Sequence, residues 1–291
     1  MSSGIKVILE GGLGNRMRVA AAAYTLAREW NIPMQVLWTD QWGMRCRLDS
    51  LFLPFDEGQG EHICADDPRV VIRDAEGSER WFYARPRWRN LWLPRLAQRW
   101  KFKDIIDSPQ IYYLQREGFD FECWFRQGNV LMFAYRDFYP WQPEVLARLF
   151  RPTPAILYRT EERCAAFTSH TIGVHIRRTD NIQSIQESPT ELFCELIDKH
   201  IGMYADTNVY LATDDEPTKD SLLQRYGRRI ITSSAHASRE STDGIQEGLV
   251  EMLALSYTSH IYGSAGSTFS EIAAKWGSKP YTVVRKGSPN H

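Results

Sequence analysis

A histidine, two adjacent arginines and an aspartate (His175, Arg177, Arg178 and Asp180) close an apolar stretch that begins at Ile172. Strand alternation sets Ile172, Val174 and Ile176 on one face and His175 and Arg177 on the other, so polar groups gather where the strand meets its loop. In open α/β sheets that carboxyl end is where ligands bind. Paired guanidiniums there suit a phosphate or pyrophosphate, because their planar donor forks bind oxyanions in bidentate fashion and stay charged at any relevant pH. The block reads as a nucleotide-diphosphate site. The plain alternative is a surface charge cluster closed on Asp180.

Three further clusters carry chemistry. Gly11, Gly12, Leu13, Gly14 and Asn15 follow an apolar strand and precede a helix, a place where backbone amides approach a charged or sugar ligand unobstructed. A GxGxxG match begun at Gly12 ends on Met17, and the Gly-Lys-Ser/Thr ending of a Walker loop is missing, so neither nucleotide fingerprint is complete. The strand that ends at Thr213 runs into Asp214, Asp215, Glu216 and Pro217. One of these acids should cap the helix that Pro217 opens. Another carboxylate could accept hydrogen bonds from a guanine edge or ribose hydroxyls. A divalent ion on the pair would be redundant beside the arginines. Last, Ser264, Ser267, Thr268, Phe269, Ser270 and Glu271 lie close together, with Thr268 and Glu271 in capping-box spacing. Hydroxyls and free amides at a helix N-terminus make a phosphate site that needs no metal.

The elements that hold these groups follow from periodicity. A strand over 5–10, the glycine turn, a helix from Arg16 to Trp30 stopped by Asn31 and Pro33, and a strand over 34–39 make a βαβ unit. In the second half, strands are expected at 171–177, 208–213, 229–232, 260–263 and 281–284. Helices are expected near 189–203, 217–226, 244–258 and 268–276. That alternation predicts a doubly wound parallel sheet. At 291 residues the chain suits two domains. Two prolines in residues 151–154 mark the linker, giving an N-terminal domain over 1–152 and a C-terminal one over 153–291. Residues 80–103 hold eight Lys or Arg, seven aromatics and no acid, which suits sugar stacking, docking on an anionic membrane, or core packing with snorkelling arginines.

Composition narrows the class. A formal net charge of -1 gives no global field for nucleic acid. Five scattered cysteines without a CxxC pair argue against a disulfide framework or zinc site. With no leader-like start and no long apolar run, the expectation is a cytoplasmic protein with reduced thiols.

In order and spacing, the Gly11–Asn15 turn, the His175–Asp180 block, Ala212 to Asp215 and Gly266 to Ser270 resemble the fucosyltransferase superfamily of α1,2-, α1,6- and protein O-fucosyltransferases. The His-x-Arg-Arg-x-Asp block is most similar to the α1,6 enzymes and the bacterial nodulation fucosyltransferases. The resemblance implies a GT-B-type α/β architecture of two Rossmann-like domains facing across a cleft. GDP-fucose would be held mainly by the C-terminal domain, and the N-terminal domain would be the acceptor side. It implies an inverting, metal-independent transfer to a glycan, without a cofactor. Arg177 and Arg178 would neutralise the departing β-phosphate, while His175 and an acid of the Asp214–Asp215 pair would contact guanosine. Ser267, Thr268 and Ser270 would sit near the phosphates, with Phe269 in the same block. Asn15, with Gly12 and Gly14, would lie near the reacting sugar, and Asp180 belongs to the donor site. In α1,6 members a lysine follows the motif's aspartate and a glutamate comes shortly after; here Asn181 and Ile185 stand there. That leaves the acceptor base open among Glu10, Asp180 and Glu187. The alternatives are another GDP-sugar donor, a catalytically silent GDP-sugar or glycan-binding module, and, lowest, an NAD oxidoreductase lacking its last glycine.

Overall fold

The computed structural model describes residues 4–40, 43–53, 70–84, 92–179, 182–234, 238 and 240–287. In chain order the elements are β1 (Lys6–Leu9), α1 (Leu13–Trp30), β2 (Met34–Trp38), β3 (Val70–Asp74), α2 (Ser78–Phe82), α3 (Trp92–Lys101), β4 (Asp104–Ile106), α4 (Ser108–Arg116), α5 (Phe121–Arg126), β5 (Val130–Ala134) and α6 (Glu144–Leu149). They continue with α7 (Pro154–Cys164), β6 (Ile172–Ile176), α8 (Ile182–Glu187), α9 (Thr190–Met203), β7 (Val209–Thr213), α10 (Glu216–Tyr226), β8 (Ile230–Thr232), α11 (Thr242–Tyr257), β9 (Ile261–Ser264), α12 (Thr268–Gly277) and β10 (Tyr281–Val284). The chain forms two compact units, Met1–Thr153 with Arg239–Ile245, and Pro154–Ser238 with Gln246–His291.

Each unit is built on a five-stranded sheet in which every pairing is parallel. Parallel strands need crossovers, and the crossover helices cover both sheet faces; accordingly β1, β5 and β6 are buried at every position and read as apolar runs. In the first unit Ile8, Leu37, Tyr83, Phe102, Leu131 and Phe133 pack into one cluster. In the second, Ile172, Val174 and Ile176 pack with Phe193, Ile197, Val209 and Leu211.

The strand order in the second unit is β10-β9-β6-β7-β8. Its first strand is central, the next two lie to one side and the last two to the other, which is the doubly wound order with its switch point between β6 and β9. The first unit runs β3-β2-β1-β5-β4, so β5 rather than β4 lies beside β1. No helix among the described residues is long and apolar enough to cross a membrane.

One helix start and one helix cap are corrected. α1 begins at Leu13, not Arg16, so Gly14 and Asn15 belong to its first turn and only Gly11, with φ 78°, takes a left-handed turn conformation. α12 begins after Ser267, and the Thr268–Glu271 capping box does not form; Glu271 pairs instead with Lys275 at 2.8 Å, one turn along. Pro154 opens α7, and the second unit begins there. The return of Arg239–Ile245 to the first unit was not legible in the sequence.

Candidate functional site

In the second unit, β6 pairs with β9 so that His175 stands opposite Gly263. The loops leaving these strands therefore meet at the switch point. Ser264 Oγ laces them: it accepts the Arg177 backbone N–H at 3.1 Å and lies 3.4 Å from the His175 carbonyl, to which it donates. From β7, Asp214 accepts the Arg178 N–H at 2.7 Å and the Thr179 hydroxyl at 2.6 Å. Burial would raise the Asp214 pKa, but these hydrogen bonds and the nearby Arg177 charge hold it below the ordinary value. The ends of β9 and β7 are thus fastened to the segment 177–179, which continues β6, by a hydroxyl and a carboxylate.

The two arginines of this segment differ. The Arg178 guanidinium donates to the Arg177 carbonyl (3.0 Å), the Ser188 carbonyl (2.6 Å) and Thr190 Oγ1 (3.0 Å). It is committed to the protein, where burial lowers its pKa. Ser188 also accepts the Ala265 N–H at 2.8 Å, and Ser184 donates to the Ala265 carbonyl at 2.6 Å, so the same lacing fixes the loop after β9. Arg177, its neighbour, is half-buried as well.

His175 is buried, with its ring 4.9 Å from that of Phe269. Burial first and the Arg177 charge second push its pKa down to about 4, against the opposing pull of Asp214, so the imidazole is neutral at physiological pH. Its Nδ1 shares a hydrogen bond of 3.1 Å with Ser267 Oγ. Ser267 is the N-cap residue of α12, and its side chain makes no capping bond. The hydroxyl that would ordinarily close the helix start has turned to the histidine, leaving the first-turn amides and the positive end of the helix dipole without a side-chain cap. Gly266, with φ 70°, makes the bend that brings this about.

The other expected residues sort as follows. Asp215 is the cap of α10, accepting the Thr218 N–H at 2.9 Å and its hydroxyl at 2.6 Å. Thr268 and Phe269 lie in the first turn of α12, both partly exposed. Ser270 is set apart: fully buried, it lies 3.3 Å from the Tyr281 hydroxyl and against Gly263, within helix-sheet packing. Asp180 falls outside the described residues. Among the described residues no group of three or more His, Cys, Asp or Glu side chains is placed to hold a metal ion. Sequence reasoning missed Ser184, Ser188 and Thr190; the Ser-Pro-Thr run ahead of α9 was the available signal.

In the first unit, the end of β1 forms a second cluster. Gly11 is required both by its φ and by Asn15, whose Nδ2 would lie 2.8 Å from an added Cβ. Asn15 Oδ1 is buried, and no group among the described residues donates a hydrogen bond to it. Arg16, wholly buried, donates to the Gly11 carbonyl at 2.9 Å and to the Thr39 carbonyl, and lies 5.0 Å over the Trp38 ring. Burial lowers its pKa to about 10, with Glu10 opposing. Glu10, also buried, accepts the Ser108 hydroxyl. Arg16 is the fixing residue of the glycine turn, and nothing in the motif alone distinguishes it from a surface arginine.

Two Rossmann-like parallel α/β units in one chain define a GT-B-like, fucosyltransferase-like fold. Solved structures that share it include NodZ, an α1,6-fucosyltransferase from Bradyrhizobium, in crystals soaked with GDP-fucose: TM-score 0.63, 15% identity, 99% of this chain and 97% of that one covered. POFUT1 in complex with GDP matches at TM-score 0.56 and 13% identity, covering 98% of this chain and 99% of the other. At such identities the likeness is one of fold. No protein-family model and no curated protein sequence matches the chain.

Proposed function

We propose that this chain is an inverting, metal-independent glycosyltransferase that moves fucose from GDP-fucose to a hydroxyl of a glycan. One observation carries the reading: at the β6/β9 switch point the cap hydroxyl of Ser267 is spent on His175, so the uncapped start of α12 faces the same loops that present Arg177. Backbone amides, a helix dipole and a guanidinium together make a built anion site. The fold's solved representatives include proteins crystallised with GDP or GDP-fucose, which supports a guanosine diphosphate as the anion.

In the proposed reaction the acceptor oxygen attacks the anomeric carbon from the face opposite GDP, and the new C–O bond forms as the bond to the β-phosphate oxygen breaks. Positive charge builds on the sugar ring and negative charge on the phosphate. Arg177 and the α12 amides meet that charge already oriented, the effect for which loss of one donor commonly costs about 10² to 10³ in rate. Arg178 acts through the loop it braces. Asp214 and Asp215 hold protein donors with their carboxylates, which supports phosphate neutralisation by cationic side chains and amides rather than by an ion on those acids. Neutral His175 orients Ser267 and meets the guanosine. The N-terminal unit is assigned the acceptor side, with Asn15 Oδ1 offering an acceptor for a sugar hydroxyl; the acceptor's proton passes to a base, for which Glu10 and Glu187 are the described candidates. The test is Arg177→Ala: kcat/KM with GDP-fucose should fall about 10² to 10³-fold, with an unchanged melting temperature. Full turnover in that variant would remove the site assignment.

A further inference from the structure

α3 is an amphipathic helix turned inside out. Its polar Gln98 is wholly buried and donates to the Phe82 carbonyl at 2.6 Å, and Arg95 reaches inward to Asp107 at 2.6 Å. Pro94, one turn before Gln98, is buried on the same side. The opposite stripe is Leu93, Leu96 and Trp100, at i, i+3 and i+7, exposed by 54%, 50% and 94%. A soluble surface has no use for three large apolar side chains in one row when the same helix has polar residues to show.

Charge decides the occupant. At about 100° per residue, Arg99 flanks the stripe on one side and Lys101 on the other, both exposed. No acid occurs between residues 80 and 103. Leucine and tryptophan between two cations are the composition of a helix that lies in the plane of an anionic bilayer, with the apolar row in the acyl boundary and the cations at the phosphates. We propose that α3 docks this protein onto anionic phospholipid membranes through Leu93, Leu96 and Trp100. A protein partner matched to the stripe would leave both flanking cations to be paired or desolvated at its rim, whereas a lipid surface meets them with its own phosphates.

The proposal is independent of the reaction assigned above, and its test needs no turnover. The whole chain is sedimented with vesicles of phosphatidylcholine plus phosphatidylglycerol and with vesicles of phosphatidylcholine alone, alongside Leu96→Glu and Trp100→Ala. Both substitutions lie at exposed positions, and melting temperatures check that each variant is folded. The expected result is sedimentation with the anionic vesicles, weakened by high salt, and partitioning reduced about tenfold or more in each variant. Failure of the unaltered chain to sediment with anionic vesicles, or equal sedimentation of the variants, overturns the proposal. So does a concentration-dependent dimer that Leu96→Glu dissolves, which would give the stripe to a second copy of the chain.

Discussion

Arg177 and Arg178 are neighbours of one type to which the proposed reaction gives different tasks, and mutation should separate them. Arg178 makes three charge-assisted bonds, one within the loop after β6 and two that join that loop to the start of α9. Its truncation leaves the Ser188 carbonyl and the Thr190 hydroxyl with fewer partners, so Arg178→Ala should cost about 2 kcal/mol of stability. Arg177→Ala should cost activity and little stability; chemical denaturation of the two variants decides it, and equal stability losses would contradict the division. His175 gives a pH signature. Its folded pKa, about 4, lies below the unfolded value of 6.5, so the unfolded chain binds the proton first. The stability it contributes is complete above pH 6.5 and is lost as pH falls toward 4, of order 3 kcal/mol over the window. Denaturation at pH 7 and pH 5 should show a drop that His175→Gln reduces; an identical drop in the variant would mean the ring is not the titrating group.

At the scale of elements, α11 carries two buried glutamates one turn apart. Glu247 resists the upward push of burial because Ser233 and Arg163 donate to it, with Arg159 also paired, and it stays below the ordinary value. Glu251 has burial and the Glu247 charge acting together, and its pKa is pushed up to about 8. It is a carboxyl that folding keeps protonated, so its contribution is full below pH 4.5 and is lost as pH rises through 8. Glu251→Gln should therefore raise the melting temperature, and more at pH 9 than at pH 5; a gain independent of pH would place the ionisation elsewhere. The elements themselves were legible where apolar periods were long: β6 read as 171–177 is Ile172–Ile176, and α12 read as 268–276 is Thr268–Gly277. The helix caps were not, because a hydroxyl's partner is chosen by tertiary neighbours. Thr268 and Glu271 had the right spacing for a box, yet the start of α12 is set by Ser267 reaching His175, 92 residues away in sequence. Burial of Arg16 was equally hidden, since its partners come from a turn and a distant strand end.

Across the whole molecule, the regular βα alternation of the second unit was readable from the chain, and the order of its strands follows once the winding is known. The stretch from 41 to 150 resisted reading because several of its helices are too brief to show a period, five residues in α2 and six each in α5 and α6. The basic aromatic run within it divides in the structure: Tyr83 and Phe102 enter the core, while Trp81 and Trp100 stay outside. Of the described motif residues at the carboxyl end of the second sheet, His175 lies with Ser267 and Phe269, while Ser270 packs against Gly263. The most direct measurement of the proposed activity is thermal stabilisation and GDP release with GDP-fucose, GDP-mannose, UDP-sugars and NAD, all in EDTA. The account predicts a raised melting temperature with GDP and GDP-fucose, and slow release of GDP from GDP-fucose. No response to any guanosine diphosphate compound, or turnover that appears only when a divalent metal replaces the EDTA, would contradict it.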